Sequence, residues 1–289
     1  MKYYRLGGDG DPRVVVQTAD AAYDLTSAKP SLTAFLDLAR AANITDRTID
    51  EVADGLISQA DTVDQPLTTD AVDLPVVGEE VWAAGVTYEI SEEAREAESA
   101  MPDMYHDVYT SHRPEVFFKA TPSRTVGPGE DVGIRGDSDW DVPEPELGIV
   151  LYQGEPVGYT IGNDMSSRSI EGQNPLYLPQ AKIYDRCCSI GPCVTSASEI
   201  GDPHDLEMSM TIHRDGEQVY EGSTSTAKMD QTCENITEHY TRHNAVPELA
   251  VLLTGTAIVP EDDFTLEAGD SVSIDVEAIG TLDNDVRVV

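Results

Sequence analysis

Basic residues are scarce in this sequence. Lys and Arg together make up 18 of the 289 residues, against 54 Asp and Glu, so the formal net charge at pH 7 is −36. A surface with so few cations repels the phosphates of nucleic acids and the headgroups of anionic membranes. The composition therefore predicts that neither nucleic acid nor a membrane is a partner of this protein.

Lysine and aromatic side chains are scarce as well. Aromatic residues are 6% of the chain, and lysine occurs at five positions, which are Lys2, Lys29, Lys119, Lys182 and Lys228. At about 1 M salt the Debye length is roughly 3 Å, so that the repulsion among surface carboxylates is screened. An acidic chain with so little lysine is typical of molar salt, and the composition predicts a protein of an extreme halophile.

Long apolar runs and a disulfide pattern are lacking. The most apolar stretch, residues 249–259, is too short to span a membrane, and the N-terminal MKYYRLGGDGD carries no apolar targeting segment. The cysteines match neither a disulfide framework nor the spacing of a zinc site. We therefore expect buried, reduced thiols in a cytoplasmic protein; the cysteines are Cys187, Cys188, Cys193 and Cys233.

The apolar residues that are present predict two unequal domains. They make up 40% of the chain, which is enough for a sizeable core. In residues 1–75, short strands precede helices that are expected to begin at a Ser31 cap and near Asp46, which indicates a small N-terminal α/β domain. Residues 76–289 contain mainly short strands, a hairpin signal at Asp215-Gly216 and a helix at about residues 229–243. The predicted fold class is α+β, mostly β.

Carboxylates near two predicted strands are candidate metal ligands. Glu144 and Glu146, in PEPEL, are two residues apart on an extended segment and point to the same side. Asp164 ends the next apolar run, in GYTIGNDMSSR. Converging carboxylates repel each other unless a cation lies between them, and oxygen ligands favour magnesium, manganese or calcium. In a chain this acidic, the ordinary alternatives are a solvated face for the glutamates and a turn cap for Asp164.

Basic side chains beside apolar segments form a second group of candidates. Lys119 ends VFFK and is expected to be a salt-bridged structural lysine, whereas Lys182, in LPQAKIYD, is a candidate for chemistry. Arg168 is either a buried ion pair or an anion contact. The turn around Gly255 offers backbone amides and a hydroxyl that can hold a carboxylate.

Several motifs, taken in order, resemble a known family. They are RPEVFFKATPSR, PEPELGIV, GYTIGNDMSSR, LPQAKIYD, LLTGTAIV and AIGTLDNDV. The series is similar to the catalytic domain of the fumarylacetoacetate hydrolase family and covers residues 81–289. Within that family the sequences of these motifs most resemble those of the 2-keto-3-deoxy-pentonate dehydratases. The resemblance implies a mixed β-sandwich roll with a small N-terminal domain, assembled as a homodimer or homotetramer.

The resemblance also implies roles for individual residues. Magnesium, or alternatively manganese, would be held by Glu144, Glu146 and Asp164. Glu115 would act as an acid or base. Contacts to a small 2-keto acid would come from Thr87, Lys182 and Thr256, and Lys182 would also take part in the chemistry.

One departure from the family pattern bears on the reaction. The hydrolases of the family carry a histidine shortly after the tyrosine of the loop that begins at Tyr88, and here Ser91 stands in its place. Serine cannot serve as the base that activates water. The sequence therefore predicts a dehydratase that converts 2-keto-3-deoxy-D-pentonate to 2,5-dioxopentanoate. The alternatives are an acylpyruvate hydrolase, an oxaloacetate decarboxylase or tautomerase, and a non-catalytic protein that binds keto acids.

Overall fold

A computed structural model describes residues 1–8, 10–88, 112–261 and 263–289 of the chain. Its strands are β1 (Lys2–Leu6), β2 (Arg13–Gln17), β3 (Ala22–Asp24), β4 (Asp61–Thr62), β5 (Glu80–Gly85), β6 (Glu115–Ala120), β7 (Thr125–Val126), β8 (Val132–Ile134), β9 (Asp141–Val142), β10 (Pro145–Tyr152), β11 (Glu155–Asp164), β12 (Ser166–Ser167), β13 (Cys188–Ser196), β14 (Glu207–Arg214), β15 (Glu217–Ser225), β16 (Leu249–Leu253), β17 (Ser271–Val276) and β18 (Gly280–Val288). Its α-helices are α1 (Leu25–Ala28), α2 (Phe35–Thr45), α3 (Ile49–Ile57), α4 (Arg168–Glu171), α5 (Leu178–Lys182), α6 (Ala197–Ile200) and α7 (Cys233–Thr241).

Two mixed sheets form the body of the molecule. The larger runs β4-β3-β2-β1-β13-β11-β10-β16-β5-β6, with β7 beside β13, and the smaller runs β15-β14-β17-β18-β8. Most neighbours are antiparallel, but β16 pairs with β5, β7 with β13 and β8 with β18 in parallel. Strand β13 packs against β18, which joins the sheets. The predicted α+β, mostly β fold class is confirmed.

The centre of the large sheet is buried on both faces. Every residue of β10 is buried, as its near-continuous apolar sequence LGIVLY suggests. Its neighbour β11 is buried from Gly158 to Asp164. Gly162 is required there, because a Cβ atom would lie 2.3 Å from Cδ2 of Leu253. The two strands therefore carry their polar ends into the core on a rigid frame.

The helices of the N-terminal part begin later than predicted. Helix α2 begins after Ala34 rather than at a Ser31 cap, because the Asp37 carboxylate accepts hydrogen bonds from the backbone amides of Thr33 and Ala34. The second helix, predicted to begin near Asp46, has its N-cap two residues later, at Thr48.

Helix α3 has a different N-cap. Asp46 has a φ of 53° and ends α2 in the left-handed region. Thr48 caps α3, since its hydroxyl accepts from the amide of Glu51 while the Glu51 carboxylate accepts from the amide of Thr48. This reciprocal capping box outcompetes an isolated aspartate two residues earlier.

The N-terminal strands continue the large sheet. β1 pairs antiparallel with β13, so that Lys2 lies opposite Thr195 and Tyr3 opposite Val194. Residues 61–75, whose polar sequence predicts a linker, contain β4 and a 3₁₀ turn, Thr69–Ala71. The division into residues 1–75 and 76–289 stays a prediction.

The hairpin and the late helix were predicted correctly. Asp215 and Gly216 have φ of 52° and 83° and join β14 to β15, as expected for a two-residue turn with positive φ. The helix expected at about residues 229–243 is the shorter α7. The sequence also predicts a charged helix at residues 89–100 and a lid after it, and residues 89–111 lie outside the described ranges. Across the described ranges, no helix is both long and apolar enough to cross a membrane.

Candidate active site

Three carboxylates meet where β10 and β11 lie side by side. The antiparallel register pairs Pro145 with Asn163 and Glu146 with Gly162, which brings Glu144 opposite Asp164. The backbone amide of Asp164 donates to the carbonyl of Glu144 at 2.9 Å. Carboxylate oxygens of Glu144, Glu146 and Asp164 lie within 4.8 Å of one another, and all three side chains are buried. The pair of glutamates is therefore not a solvated face.

Glu146 is held by the turn that follows β16. The amide of Gly255 donates to its Oε2 at 2.6 Å. Burial raises the pKa of Glu146 well above its usual range, and the charges of Asp164 and Glu144 add to the rise, against a smaller opposite effect of Lys182. The carboxylates therefore repel each other inside the protein. A hard divalent cation would relieve that repulsion, so the donor set fits such an ion.

Lys182 bridges two of these carboxylates from the end of α5. Its Nζ donates to Glu144 Oε2 at 2.6 Å, to Asp164 Oδ2 at 3.1 Å and to Ser166 Oγ at 2.6 Å. An ammonium has three hydrogens to donate, and these acceptors can take all of them. The ring of Phe117 lies 5.6 Å from the same Nζ and forms an apolar wall.

Lys119 contacts the other carboxylate oxygen of Asp164. Its Nζ lies 2.5 Å from Asp164 Oδ1 and donates to the carbonyls of Met165 at 2.8 Å and of Lys182 at 2.5 Å. Burial lowers the pKa of this lysine, but the charge of Asp164 and the thiols of Cys187 and Cys188 outweigh that effect, and the pKa is raised. Lys119 is ion-paired, as the sequence suggested.

Arg168 completes the charged cluster. Its guanidinium Nη2 lies 2.9 Å from Glu144 Oε1, which decides between the two interpretations of Arg168 in favour of a buried ion pair. Ser166, which bonds to Lys182, was not singled out, because one serine among several in MSSRS carries no distinguishing signal. We refer to the six charged residues together as the ionic cluster: Glu144, Glu146, Asp164, Lys119, Lys182 and Arg168.

The remaining candidates lie around this cluster at different depths. A narrow cavity is lined by Glu144, Glu146, Asp164 and Lys182, and Thr256 lines it as well. The Thr256 hydroxyl accepts a hydrogen bond from the amide of Ile258 at 3.2 Å. Thr87 lies behind the turn, and its hydroxyl donates to the carbonyl of Thr254 at 2.7 Å. A Cβ atom on Gly255 would lie 2.0 Å from that hydroxyl, so Thr87 supports the turn in this structure.

Glu115 approaches the cavity across a glycine. It begins β6 opposite Gly85, which lines the cavity, and a Cβ atom at Gly85 would lie 1.9 Å from Glu115 Oε2. The absence of a side chain at Gly85 therefore lets the carboxyl group reach the edge of the site. Ser91, the residue on which the argument against hydrolysis depends, lies outside the described residues.

A comparison with protein families decides the wider relationship. The family model described as "Fumarylacetoacetate (FAA) hydrolase C-terminal" matches residues 80–287. The chain belongs to the fumarylacetoacetate hydrolase family. The predicted family is thus confirmed, and the match begins at β5 and ends within β18.

Relatives within the fumarylacetoacetate hydrolase family include dehydratases. A "Probable 2-keto-3-deoxyxylonate dehydratase" of Haloferax volcanii is 60% identical over the full length of both chains. The "2-dehydro-3-deoxy-D-arabinonate dehydratase" of Saccharolobus solfataricus is 44% identical, over 74% of this chain and 73% of its own. A solved "2-keto-3-deoxy-D-arabinonate dehydratase complexed with magnesium and 2,5-dioxopentanoate" has a TM-score of 0.84 at 33% identity and covers 100% of this chain and 99% of its own.

Proposed function

We propose that this protein is a magnesium-dependent dehydratase, which converts 2-keto-3-deoxy-D-pentonate to 2,5-dioxopentanoate and water. The observation that carries the proposal is the buried Glu144, Glu146 and Asp164 triad, with Lys182 beside it. The dehydratase relatives and the product complex of the solved one support the substrate. D-Xylonate and D-arabinonate give the same 2-keto-3-deoxy acid, because the stereocentres at C2 and C3 are lost.

The metal ligands in this proposal are the three carboxylates of the triad. Among the described residues, the two lysines and the arginine form ion pairs with Glu144 and Asp164 but not with Glu146. When bound, magnesium, or manganese in its place, supplies the missing positive charge and acts as a Lewis acid that acidifies the C3 protons of the 2-keto acid.

Glu115 is the proposed acid or base. A proton leaves C3, and the C4 hydroxyl departs as water after it gains a proton. A proton then moves from C5 to C3, and the enol that results passes its hydroxyl proton to C4, which leaves an aldehyde at C5. The carboxyl group of Glu115, at the edge of the cavity across from Gly85, is available to carry these protons.

Lys182 is proposed to bind the substrate as an ammonium. Because two carboxylates and the Ser166 hydroxyl contact its Nζ, a substrate oxygen must replace one of these acceptors. A Schiff base at Lys182 is unnecessary, because a bound metal ion would supply the electron sink. Thr256 is proposed as a further substrate contact, and Thr87 reaches the substrate only if its hydroxyl leaves Thr254.

The experiment that tests this function offers three substrates in parallel. Purified protein with magnesium in molar potassium chloride receives 2-keto-3-deoxy-D-pentonate, an acylpyruvate or oxaloacetate. We expect dehydration to be fastest, with 2,5-dioxopentanoate detected by a coupled semialdehyde dehydrogenase. Faster cleavage of the acylpyruvate would show a hydrolase instead. Faster turnover of oxaloacetate would show a decarboxylase or tautomerase, and the absence of any magnesium-stimulated turnover would favour a binding protein.

The proposal extends to the setting of the enzyme, a salt-rich cytoplasm, and to a homodimer or homotetramer. The free, buried cysteines are compatible with a reducing compartment. Leu176 is 84% exposed on this single chain, next to the partly exposed Tyr177, and such a surface supports self-association. Light scattering in molar salt tests the assembly, and a monomer would contradict it.

A further inference from the structure

Lys119 lies on the face of β6 that is turned toward the site. Side chains alternate along a strand, so residues at positions i, i+2 and i+4 share a face. On β6, Glu115 and Phe117 are such a pair, and Phe117 lines the cavity with the carboxylates. Lys119 continues this row at a register shift between β6 and β5, and its contact with Asp164 places its side chain on the side of the site. Lys119 is fully buried at the inner end of this row.

The ammonium of Lys119 connects two chain segments that carry site residues. One segment is the end of β11, where Nζ contacts Asp164 Oδ1 and donates to the carbonyl of Met165. The other is the end of α5, where Nζ donates to the carbonyl of Lys182. All three of these contacts are to oxygens of the protein itself.

Asp164 is consequently held at both oxygens by different lysines. Lys119 contacts Oδ1 at 2.5 Å, and Lys182 donates to Oδ2 at 3.1 Å. Lys119 therefore limits rotation of the Asp164 carboxylate and also anchors the backbone from which the Lys182 side chain extends. A carboxylate whose orientation is fixed in advance binds a metal ion more tightly than one that must be ordered.

We propose that Lys119 is a positioning residue, which orients Asp164 for the metal ion and anchors the main chain at Lys182. This inference rests on the proposed function, because it assumes that Asp164 is a magnesium ligand. It assigns Lys119 no contact with the substrate. It predicts that loss of the ammonium weakens two separate properties, the affinity for magnesium and the turnover number at saturating magnesium.

The test measures magnesium binding without substrate, by calorimetry in molar potassium chloride, on wild type and Lys119→Met. Methionine retains the length and apolar stem of lysine and removes the donors. We expect the affinity for magnesium to fall about 10- to 100-fold. At saturating magnesium, kcat should stay at least about tenfold below wild type, because added metal cannot restore the position of Lys182. Lys29→Met, at an exposed lysine, is the matched control and should change neither property.

The possible outcomes separate this inference from the proposed function. If wild type binds no magnesium, the proposed function fails. If wild type binds it and folded Lys119→Met binds it equally well with unchanged kcat, only the positioning role is overturned. If Lys119→Met does not fold, Lys119→Gln, whose amide retains two donors, is measured in the same way. Failure of both variants to fold would assign Lys119 to stability alone and overturn the proposal.

Discussion

The surface of this protein and its ionic cluster differ in how the charge of their carboxylates is compensated. Over the whole chain, 54 acidic residues face 18 basic ones, and the excess must be screened by salt. In the buried cluster, three cations contact the carboxylates of Glu144 and Asp164, and the Gly255 amide donates to Glu146. Two of the five lysines, Lys119 and Lys182, belong to this cluster and are almost completely inaccessible to solvent. Buried charge must be paired by protein groups, because water and salt do not reach it.

The largest effect is expected where a carboxylate of the cluster is removed. Asp164→Asn or Glu146→Gln should lower turnover by at least about three orders of magnitude, because charge stabilisation by a metal ion is worth several kcal/mol. Steady-state rates and magnesium calorimetry provide the measurement. Asp54→Asn, at an exposed position, is the control and should leave both unchanged. Near-normal activity of either cluster variant without added metal would refute the assignment of the triad.

A somewhat smaller effect is expected at the edge of the site. Glu115→Gln should reduce dehydration about 10²- to 10⁴-fold, the usual contribution of a general acid or base. The affinity for magnesium should survive, since Glu115 is not among the three clustered carboxylates. Rate measurements together with magnesium calorimetry distinguish an acid or base, such as Glu115, from a metal ligand. An active Glu115→Gln would remove Glu115 from the mechanism.

The surface should respond to salt where the cluster does not. On dialysis from molar potassium chloride into low-salt buffer, we expect the midpoint of thermal unfolding to fall by about 10 °C or more, with loss of structure, because unscreened repulsion opposes the compact state. Circular dichroism at several salt concentrations measures this, and structure should return when the salt is restored. A midpoint that does not depend on salt would contradict the predicted halophilic adaptation.

The smallest effect is expected at Asp141, a buried carboxylate that is less well paired than the cluster. Burial raises its pKa to about 6, although Ser138 and Arg135 act in the opposite direction. Its Oδ1 has no hydrogen-bond partner within the described ranges. The folded state therefore holds the proton more tightly than the unfolded state, and Asp141 should cost stability as the pH rises from about 4 to 6.

Replacement of Asp141 tests this penalty directly. Asp141→Asn should stabilise the protein at pH 7.5 by about 1–2 kcal/mol and have a much smaller effect at pH 4, where wild type is already protonated. Urea unfolding at both pH values measures the difference, with the exposed Asp139→Asn as the control. An equal effect of Asp141→Asn at the two pH values would show that the carboxyl group does not titrate as described.

Some residues of the candidate site could be identified from the sequence, but the contacts among them could not. The Glu144 and Glu146 pair and Asp164 were visible as acids at strand ends, and the structure brings them together. The contact of Lys119 with the carbonyl of Lys182 joins residues 63 positions apart, and no local pattern encodes it. The start of α3 was predicted two residues early, because the capping box at Thr48 was overlooked in favour of Asp46.

The sequence by itself determined the family, the mostly β fold class and the composition that predicts a need for salt, because each depends on motif order or on residue counts. Only the tertiary structure decided how the candidates relate in space. The register of β10 against β11 sets Glu144 opposite Asp164. Because Gly85 has no side chain, Glu115 can approach the cavity. These relations arise from the pairing and packing of distant segments, which depend on the whole fold rather than on any stretch of chain.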